Sequence, residues 1–140
     1  MTMTIQVCIV SAEAEIFNGS AEMVVAPAQM GEVGITARHA PFLSRLKPGE
    51  VRVKVTDGDT QPFYVSGGVL EVQPHLVTIL ADTAVRAKDI DEAAAIEAKR
   101  RAEEMLSDKS GKLDYAVAQA QLAEAVMQLR TLEKYRHGRA

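Results

Sequence analysis

Short stretches of alternating apolar and polar residues follow one another along the first half of the chain. The clearest spans residues 50–56, where three valines alternate with the polar side chains of Arg52 and Lys54. Residues 4–10 alternate in the same way, with aliphatic side chains on one face. A period of two is typical of a β-strand that has one buried and one solvated face. The pattern therefore predicts short strands whose apolar faces share a core.

Turn-forming residues separate these strands at intervals of roughly ten residues. Asp57-Gly58 follows the strand at 50–56, and the pair predicts a hairpin turn because both residues tolerate positive φ. Gly67-Gly68 interrupts the next apolar segment. Further strands are predicted at 22–26, 62–66, 69–72 and 76–80. No helical pattern lies between the strands, which disfavours a parallel α/β sheet and predicts an antiparallel β-sandwich or barrel.

The pattern changes to a helical one beyond Lys88. Asp89 is predicted to cap a first helix, with Glu92 completing a capping box. The apolar residues of this helix recur at helical spacing, as Ala94, Ala98, Ala102 and Met105, with Ile90 and Leu106 beside them. Ser110-Gly111 predicts the end of the helix and a short loop within residues 107–112.

A second helix is predicted from about residue 113 or 114 to Lys134. Its apolar stripe consists of Tyr115, Ala118, Leu122, Ala125 or Val126, Leu129 and Leu132. Two helices of similar length joined by a short loop form an antiparallel αα-hairpin. Many contact positions are alanine, whose burial stabilises less than that of leucine. We therefore expect a hairpin that is weakly held to the rest of the protein, as suits an element that detaches.

Composition limits the classes of protein to which this chain can belong. Its 140 residues suffice for one domain of ordinary size or a small domain with an appendage. The single cysteine, Cys8, permits no internal disulfide. No apolar run approaches the roughly 20 residues of a membrane span, and the N-terminus lacks the basic region of a signal peptide. A net charge of −3 gives no overall basic field that would attract nucleic acid.

Residues that could carry catalysis or hold a metal are scarce. His39, His75 and His137 lie far apart and without metal-ligand spacing, so we predict no metal site and no catalytic residue. A small hydrolase built on His39 would need a nucleophile and an orienting group, for which the sequence offers no candidate. A basic cluster at the C-terminal end consists of Arg130, Lys134, Arg136 and Arg139. Cations favour a helix C-terminus, so this cluster predicts either capping or the docking of an acidic partner.

Three ordered blocks of the sequence resemble the epsilon subunits of bacterial F-type ATP synthases, and the resemblance extends over essentially the whole chain. The first block is GEVGITARHAPFLS at 31–44, followed by LKPG at 46–49. The second is YVSGGVLEV at 64–72, and the third is LADTA at 80–84, which leads into IDEA at 90–93. Three blocks in this order and spacing are a specific signal.

The resemblance implies an N-terminal antiparallel β-sandwich of about ten strands over residues 1–86 and a regulatory α-helical hairpin over residues 87–140. It also implies a non-catalytic central-stalk subunit without a cofactor, which binds the gamma subunit and the ring of c subunits and couples rotation to catalysis. Gly31 and Glu32 match the family loop that lies toward the c ring. His39 matches a histidine near the gamma-facing surface, and a hydrogen bond that fixes its loop is the alternative role.

The hairpin carries the regulatory role that the resemblance implies. When it extends into the catalytic head of α and β subunits it blocks rotation and limits ATP hydrolysis, and when folded down it packs on the sandwich. In the extended state, basic residues of the second helix face acidic segments of those subunits. The candidates are Arg130, Lys134 and Arg136. Such a subunit is peripheral, on the cytoplasmic face of the bacterial inner membrane, and is membrane-associated only through the complex.

One departure from the family concerns ATP as a regulatory ligand. Some members bind ATP in the folded hairpin with an Ile/Leu-Asp-x-x-Arg-Ala motif, which here reads IDEAAA. Ile90 and Asp91 match the motif, but Ala94 stands where the family has arginine. A triphosphate loses a charge-assisted hydrogen-bond partner there. We therefore expect weak or absent ATP binding.

A free-standing adaptor is the alternative interpretation. Its basic C-terminal helix would bind an acidic protein partner or a membrane surface, and it would be stable and active without an ATP synthase. A membrane-surface helix needs more large apolar residues opposite its basic face than the alanines of this helix provide.

Overall fold

The described part of the chain, residues 3–107 and 115–138 of a computed structural model, forms a β-sandwich followed by two helices. The strands are β1 (Ile5–Ser11), β2 (Glu15–Ala28), β3 (Gly31–Ile35), β4 (Phe42–Leu46), β5 (Gly49–Val55), β6 (Thr60–Val65), β7 (Gly68–Gln73), β8 (Leu76–Ala81) and β9 (Ala84–Arg86). The helices are α1 (Glu92–Ser107) and α2 (Tyr115–Gly138). The predicted sandwich and helical hairpin are confirmed. The predicted loop around Ser110-Gly111, the predicted helix start at 113 or 114, and Arg139 lie outside the described residues.

The long strand β2 connects the two layers of the sandwich. The strands pair in the order β1-β8-β7-β4-β2-β5-β6-β9, with β3 beside β2 and β1 also paired to β2. The first half of β2 pairs with β1 and the second half with β3 and β5, with a register shift between Ala21 and Met23. The first layer therefore contains β1, β8, β7 and β4, and the second layer contains β3, β5, β6 and β9.

Aliphatic side chains from both layers fill the core, as the alternation predicts. Ile5, Val7 and Ile9 are buried on β1, and Val51 and Val53 are buried on β5. Each buried side chain of this size stabilises the fold by roughly 1.5–3 kcal/mol relative to exposure. The sandwich thus has an apolar core of its own, built without the helices.

One strand pairing departs from the prediction of an antiparallel sandwich. β1 pairs with β8 in parallel, from Gln6 opposite Leu76 to Ser11 opposite Ala81. The other pairings among the described strands are antiparallel. The alternation of β1 does not encode this difference, because side chains have a period of two in either direction.

The first helix is capped by Asp91 rather than by Asp89. Asp89 ends a short 3-10 turn, and the Asp91 side chain accepts a hydrogen bond from the Ala94 backbone N–H at 3.1 Å. Glu92 is therefore the first residue of α1 and does not close a capping box with Asp89. Asp89 and Asp91 lie two positions apart and aspartate is a favourable N-cap at either, so residue type alone does not choose between them.

The hairpin is seated on the sandwich through α2. The helix α2 packs against β5, β6 and the 3-10 turn before α1, whereas α1 packs mainly against α2. The predicted stripe of α2 is confirmed at Ala118, Ala125 and Leu132, which are buried. On α1 the predicted stripe is confirmed at Ala102, which is buried. It is wrong at Ala94 and Ala98, which are exposed, and Ala95 is buried instead.

A substitution at Gly68 tests the close approach of β7 to β8. Gly68 has φ +134°, and a Cβ built there would lie 2.1 Å from the Leu80 carbonyl oxygen. We expect Gly68→Ala to lower the free energy of unfolding by at least about 3 kcal/mol, measured by urea denaturation of the full chain. Gly58 is the matched control, because it has φ +84° and open space around it. Gly58→Ala should cost about 1–2 kcal/mol, and equal losses would contradict a steric role for Gly68.

Candidate functional site

The turn between β2 and β3 presents the residues that the resemblance assigned to the c ring. Ala28 pairs with Gly31, which leaves Gln29 and Met30 as a two-residue turn at the tip. Gly31 has φ +138°, a backbone conformation that glycine adopts readily. Glu32 follows as an exposed residue of β3, and Met30 is 97% exposed. Sequence reasoning missed Met30, because only the register of β2 and β3 places it at the tip.

Arg52 on β5 connects this turn to the outer face of the second layer. Its Nη2 donates to Glu32 Oε1 at 3.0 Å, and its Nη1 donates to Glu32 Oε2 at 3.3 Å. The same Nη1 donates to Glu50 Oε1 at 3.1 Å. Hydrogen bonding to Glu32, opposed by partial desolvation, raises the pKa of the Arg52 guanidinium. One permanently charged group therefore serves carboxylates on two strands.

Glu50 and Tyr64 lie opposite each other on β5 and β6, the strands against which α2 packs. Glu50 is only 6% exposed and Tyr64 is fully buried. Within the described residues, neither Glu50 Oε2 nor the Tyr64 hydroxyl has a hydrogen-bond partner. Burial, together with the charge of Glu124 on α2, raises the pKa of Tyr64 well above its usual value. The prediction that this face of β5 is solvated is wrong at Glu50.

The outer face of the first layer carries exposed apolar side chains. Leu43 on β4 is 71% exposed, Leu80 on β8 is 49% exposed and Val69 on β7 is 37% exposed. Val69 pairs with Leu80 on one side and with Arg45 on the other. We call Leu43, Val69 and Leu80 the uncovered face, because α2 packs on the opposite layer. Clustered apolar side chains on a surface mark an interaction site more often than single ones do.

His39 lies in the loop that leads into β4. Its Nδ1 is 2.6 Å from the Ala40 carbonyl oxygen, and its ring meets the Phe42 ring edge to face, with centroids 6.4 Å apart. The structure thus gives His39 a local hydrogen bond of the kind proposed as the alternative role. A contact between His39 and the gamma subunit stays a prediction.

The three candidate cations of α2 have different surroundings. Arg130 and Lys134 are exposed and lie one turn apart. Arg136 forms a two-pronged ion pair with Glu92 of α1, with Nη2 to Oε2 at 2.7 Å and Nη1 to Oε1 at 3.1 Å. These hydrogen bonds raise the pKa of Arg136 and lower that of Glu92. In the folded hairpin Arg136 is therefore occupied, which sequence spacing did not reveal.

A cleft of about 560 Å³ lies between α1, α2 and β9. Its lining includes Ile90, Asp91 and Ala94 of the incomplete ATP motif. The charged residues of the lining are Asp89, Asp91, Glu124 and Arg101. Arg101 is itself paired with Glu97, at 3.4 Å between Nε and Oε1. Carboxylates outnumber the cation, so the cleft disfavours an anionic ligand.

The three histidines lie on separate elements: a loop, the β7–β8 turn and α2. Across residues 3–107 and 115–138, no group of three His, Cys, Asp or Glu side chains could hold a metal ion. No helix in these two ranges is long and apolar enough to cross a membrane.

Comparison with known proteins connects both parts of the chain to one family. Residues 4–87 match the family described as ATP synthase, Delta/Epsilon chain, beta-sandwich domain, and residues 88–133 match its long alpha-helix domain. The chain is 74% identical over 140 residues to ATP synthase epsilon chain 1 of Methylococcus capsulatus, and the match covers 100% of both. It is 64% identical over 136 residues to the ATP synthase epsilon chain of Nitrosococcus oceani, covering 97% of each.

Solved structures of similar fold come from mitochondrial ATP synthases. A chain in the OSCP/F1/c-ring structure of the Euglena gracilis enzyme matches with a TM-score of 0.69 and 22% identity, covering 98% of this chain and 82% of that one. A chain in the central stalk/c-ring structure of the Tetrahymena thermophila enzyme matches with a TM-score of 0.61 and 14% identity, covering 94% and 97%. At these identities the likeness shows the fold.

The family matches span both halves of the chain, and the bacterial relatives cover it from end to end or nearly so. They confirm the resemblance carried by the three sequence blocks, and with it the prediction of a subunit that is not itself catalytic. The chain belongs to the ATP synthase delta/epsilon chain family.

Proposed function

We propose that this chain is a central-stalk subunit that binds the gamma subunit through the uncovered face and the c ring through the β2–β3 turn. It couples rotation of the c ring to the catalytic head without catalysing a reaction. The complex holds it as a peripheral protein on the cytoplasmic face of the bacterial inner membrane. The single observation that carries this proposal is the uncovered face, a set of exposed apolar side chains on a sheet that the hairpin leaves free.

The composition of the uncovered face suits a protein partner. Its apolar centre is flanked by Arg45 and Glu71 on the neighbouring positions of β4 and β7. An apolar centre with a charged rim is the usual anatomy of a protein interface. Because the hairpin occupies the other layer, a partner bound here does not compete with the folded hairpin.

The β2–β3 turn suits a smaller contact with the c ring. Met30 offers a flexible apolar side chain at the tip, and Glu32 offers an exposed carboxylate beside it. Methionine adapts to irregular surfaces, which favours a contact with a protein partner. Gly31 supplies the backbone conformation that the turn requires.

The hairpin inhibits ATP hydrolysis when it extends into the catalytic head of α and β subunits. Arg130 and Lys134 are exposed in the folded state and remain available for acidic segments of those subunits. Arg136 becomes available only when its ion pair with Glu92 breaks. The buried contacts within the hairpin are largely alanines, so separating the helices costs little apolar burial.

Charge substitutions on the uncovered face test the gamma contact. We expect Leu43→Asp and Leu80→Asp to weaken binding to the gamma subunit about thirtyfold or more, because each places a carboxylate in an apolar interface. The measurement is the affinity of the full chain for a gamma-containing α/β complex. Ile96→Asp is the matched control, because Ile96 is 52% exposed but lies on α1. Equal affinities for all three variants would contradict the proposal.

Removal of the hairpin tests the division of labour between the two parts. We expect deletion of residues 89–140 to leave assembly and ATP synthesis largely intact and to raise ATP hydrolysis, because the inhibitory helices are gone. Hydrolysis and synthesis are measured on the reconstituted complex. Loss of assembly after the deletion would contradict this division of labour. Co-purification of the full chain with α, β and gamma subunits distinguishes the proposed subunit from a free-standing adaptor.

The incomplete motif predicts that ATP binds weakly or not at all. We expect calorimetric titration of the full chain to show no binding at micromolar ATP. Ala94→Arg should tighten ATP binding about tenfold, because it adds a charge-assisted partner to the cleft. Ala93→Arg adds the same charge to an exposed position that does not line the cleft, and should have little effect. Micromolar binding by the unaltered chain would overturn this expectation.

A further inference from the structure

The geometry points to Arg52 as a counterion shared by Glu32 and Glu50, through which the β2–β3 turn controls how firmly the hairpin is seated. The Arg52 guanidinium contacts both carboxylates, one exposed on β3 beside the turn and one buried on β5. The inference deepens the proposed function and rests on it only in taking Glu32 as a c-ring contact. The coupling of the three side chains to the hairpin is a property of this chain alone and does not depend on a partner.

The seat of the hairpin contains a buried charge that depends on Arg52. Glu50 is 6% exposed, and it lies on the strand against which α2 packs, in a cleft that it shares with Lys134 and Tyr135 of α2. Its Oε1 accepts from Arg52 Nη1 at 3.1 Å. A buried carboxylate without a partner is strongly unfavourable, whereas the same carboxylate in water is not. Loss of Arg52 therefore raises the free energy of the state in which α2 packs on the sandwich. Detachment of α2 lowers it again, because water then hydrates Glu50.

Arg52 shares its hydrogen bonds between two carboxylates, and the buried Glu50 receives fewer of them than Glu32. The guanidinium donates two hydrogen bonds to Glu32 and one to Glu50. Glu50 Oε2 is left without a partner among the described residues. An arginine fork can serve both oxygens of one carboxylate. If Glu32 is released, Nη2 can turn to Glu50 Oε2 and supply the missing hydrogen bond.

Other cations near Glu50 do not replace Arg52. Lys88 and Lys134 line the same cleft as Glu50 and Arg52. In the described part of the chain, however, the ion pair of Glu50 is with Arg52 and its Oε2 is bonded to neither lysine. The direction of the coupling follows: a donor from the c ring that engages Glu32 returns Arg52 to Glu50 and seats the hairpin. When the turn has no partner, Arg52 stays bonded to both carboxylates and α2 is held less firmly on β5 and β6.

Hydrogen exchange on the isolated full-length chain tests this coupling. Exchange of the α2 amides reports detachment of the hairpin, and exchange of the β1 and β8 amides reports unfolding of the sandwich. We expect Arg52→Gln to speed α2 exchange at least about tenfold while β1 and β8 are unchanged. We expect Glu32→Gln to slow α2 exchange by about twofold to fivefold, because Arg52 is freed for Glu50.

Lys54→Gln is the matched control. Lys54 lies two residues from Arg52 on the same face of β5, and it pairs with Glu22 at 3.6 Å rather than with Glu50. Its substitution should leave α2 exchange unchanged within about twofold. Glu50→Gln removes the buried charge, so Arg52→Gln and Glu32→Gln should lose their effects when combined with it.

Three results would each overturn the inference: equal α2 exchange in the Arg52→Gln and Lys54→Gln variants, faster α2 exchange in Glu32→Gln, or full effects that persist with Glu50→Gln. If Arg52→Gln unfolds the sandwich as well, the opposite sign of Glu32→Gln and its loss with Glu50→Gln decide the question. These measurements involve neither the gamma subunit nor the c ring. Failure of the coupling therefore leaves the gamma-binding test of Leu43→Asp and Leu80→Asp unaffected, and the reverse also holds.

Discussion

The contact between α2 and the outer face of β5 and β6 joins two parts of the molecule that are held together in different ways. The sandwich has an apolar core whose buried residues, among those the structure describes, all lie on strands. The hairpin buries mostly alanines, and it packs on β5 and β6, where Glu50 Oε2 and the Tyr64 hydroxyl have no hydrogen-bond partner among the described residues. The packing of α2 on these strands is thus combined with an electrostatic penalty. A hairpin held in this way can leave without removing any of the sandwich core.

Much of the fold could be predicted because alternation and helical spacing are local signals. The inward faces of β1 and β5 were identified correctly, since a period of two is enough to separate core from surface. The pairing direction of β1 and β8 could not be, because that period is the same in both directions. The burial of Glu50 could not be predicted either, since α2, which packs against its strand β5, lies far along the chain.

The interaction sites were predicted in part, and the missing parts are all contacts between distant residues. The resemblance located Gly31 and Glu32, but the exposure of Met30 follows only from the register of the β2–β3 turn. Spacing grouped Arg136 with the exposed cations of α2, whereas the structure pairs it with Glu92, 44 residues earlier. The alternation of β5 predicts only that Arg52 lies on a solvated strand face, because its two carboxylate partners lie on different strands.

The parallel pairing of β1 with β8 has a consequence for how the protein folds during synthesis. Gln6 meets Leu76, so β1 cannot acquire this neighbour until β8 and the strands between them have been made. Until then one edge of β1 has no strand beside it, and unpaired edges invite pairing with other chains. Contacts between such distant residues also slow folding. The pairing of β1 with β8 therefore forms late, whereas the helices that follow can form from neighbouring residues alone.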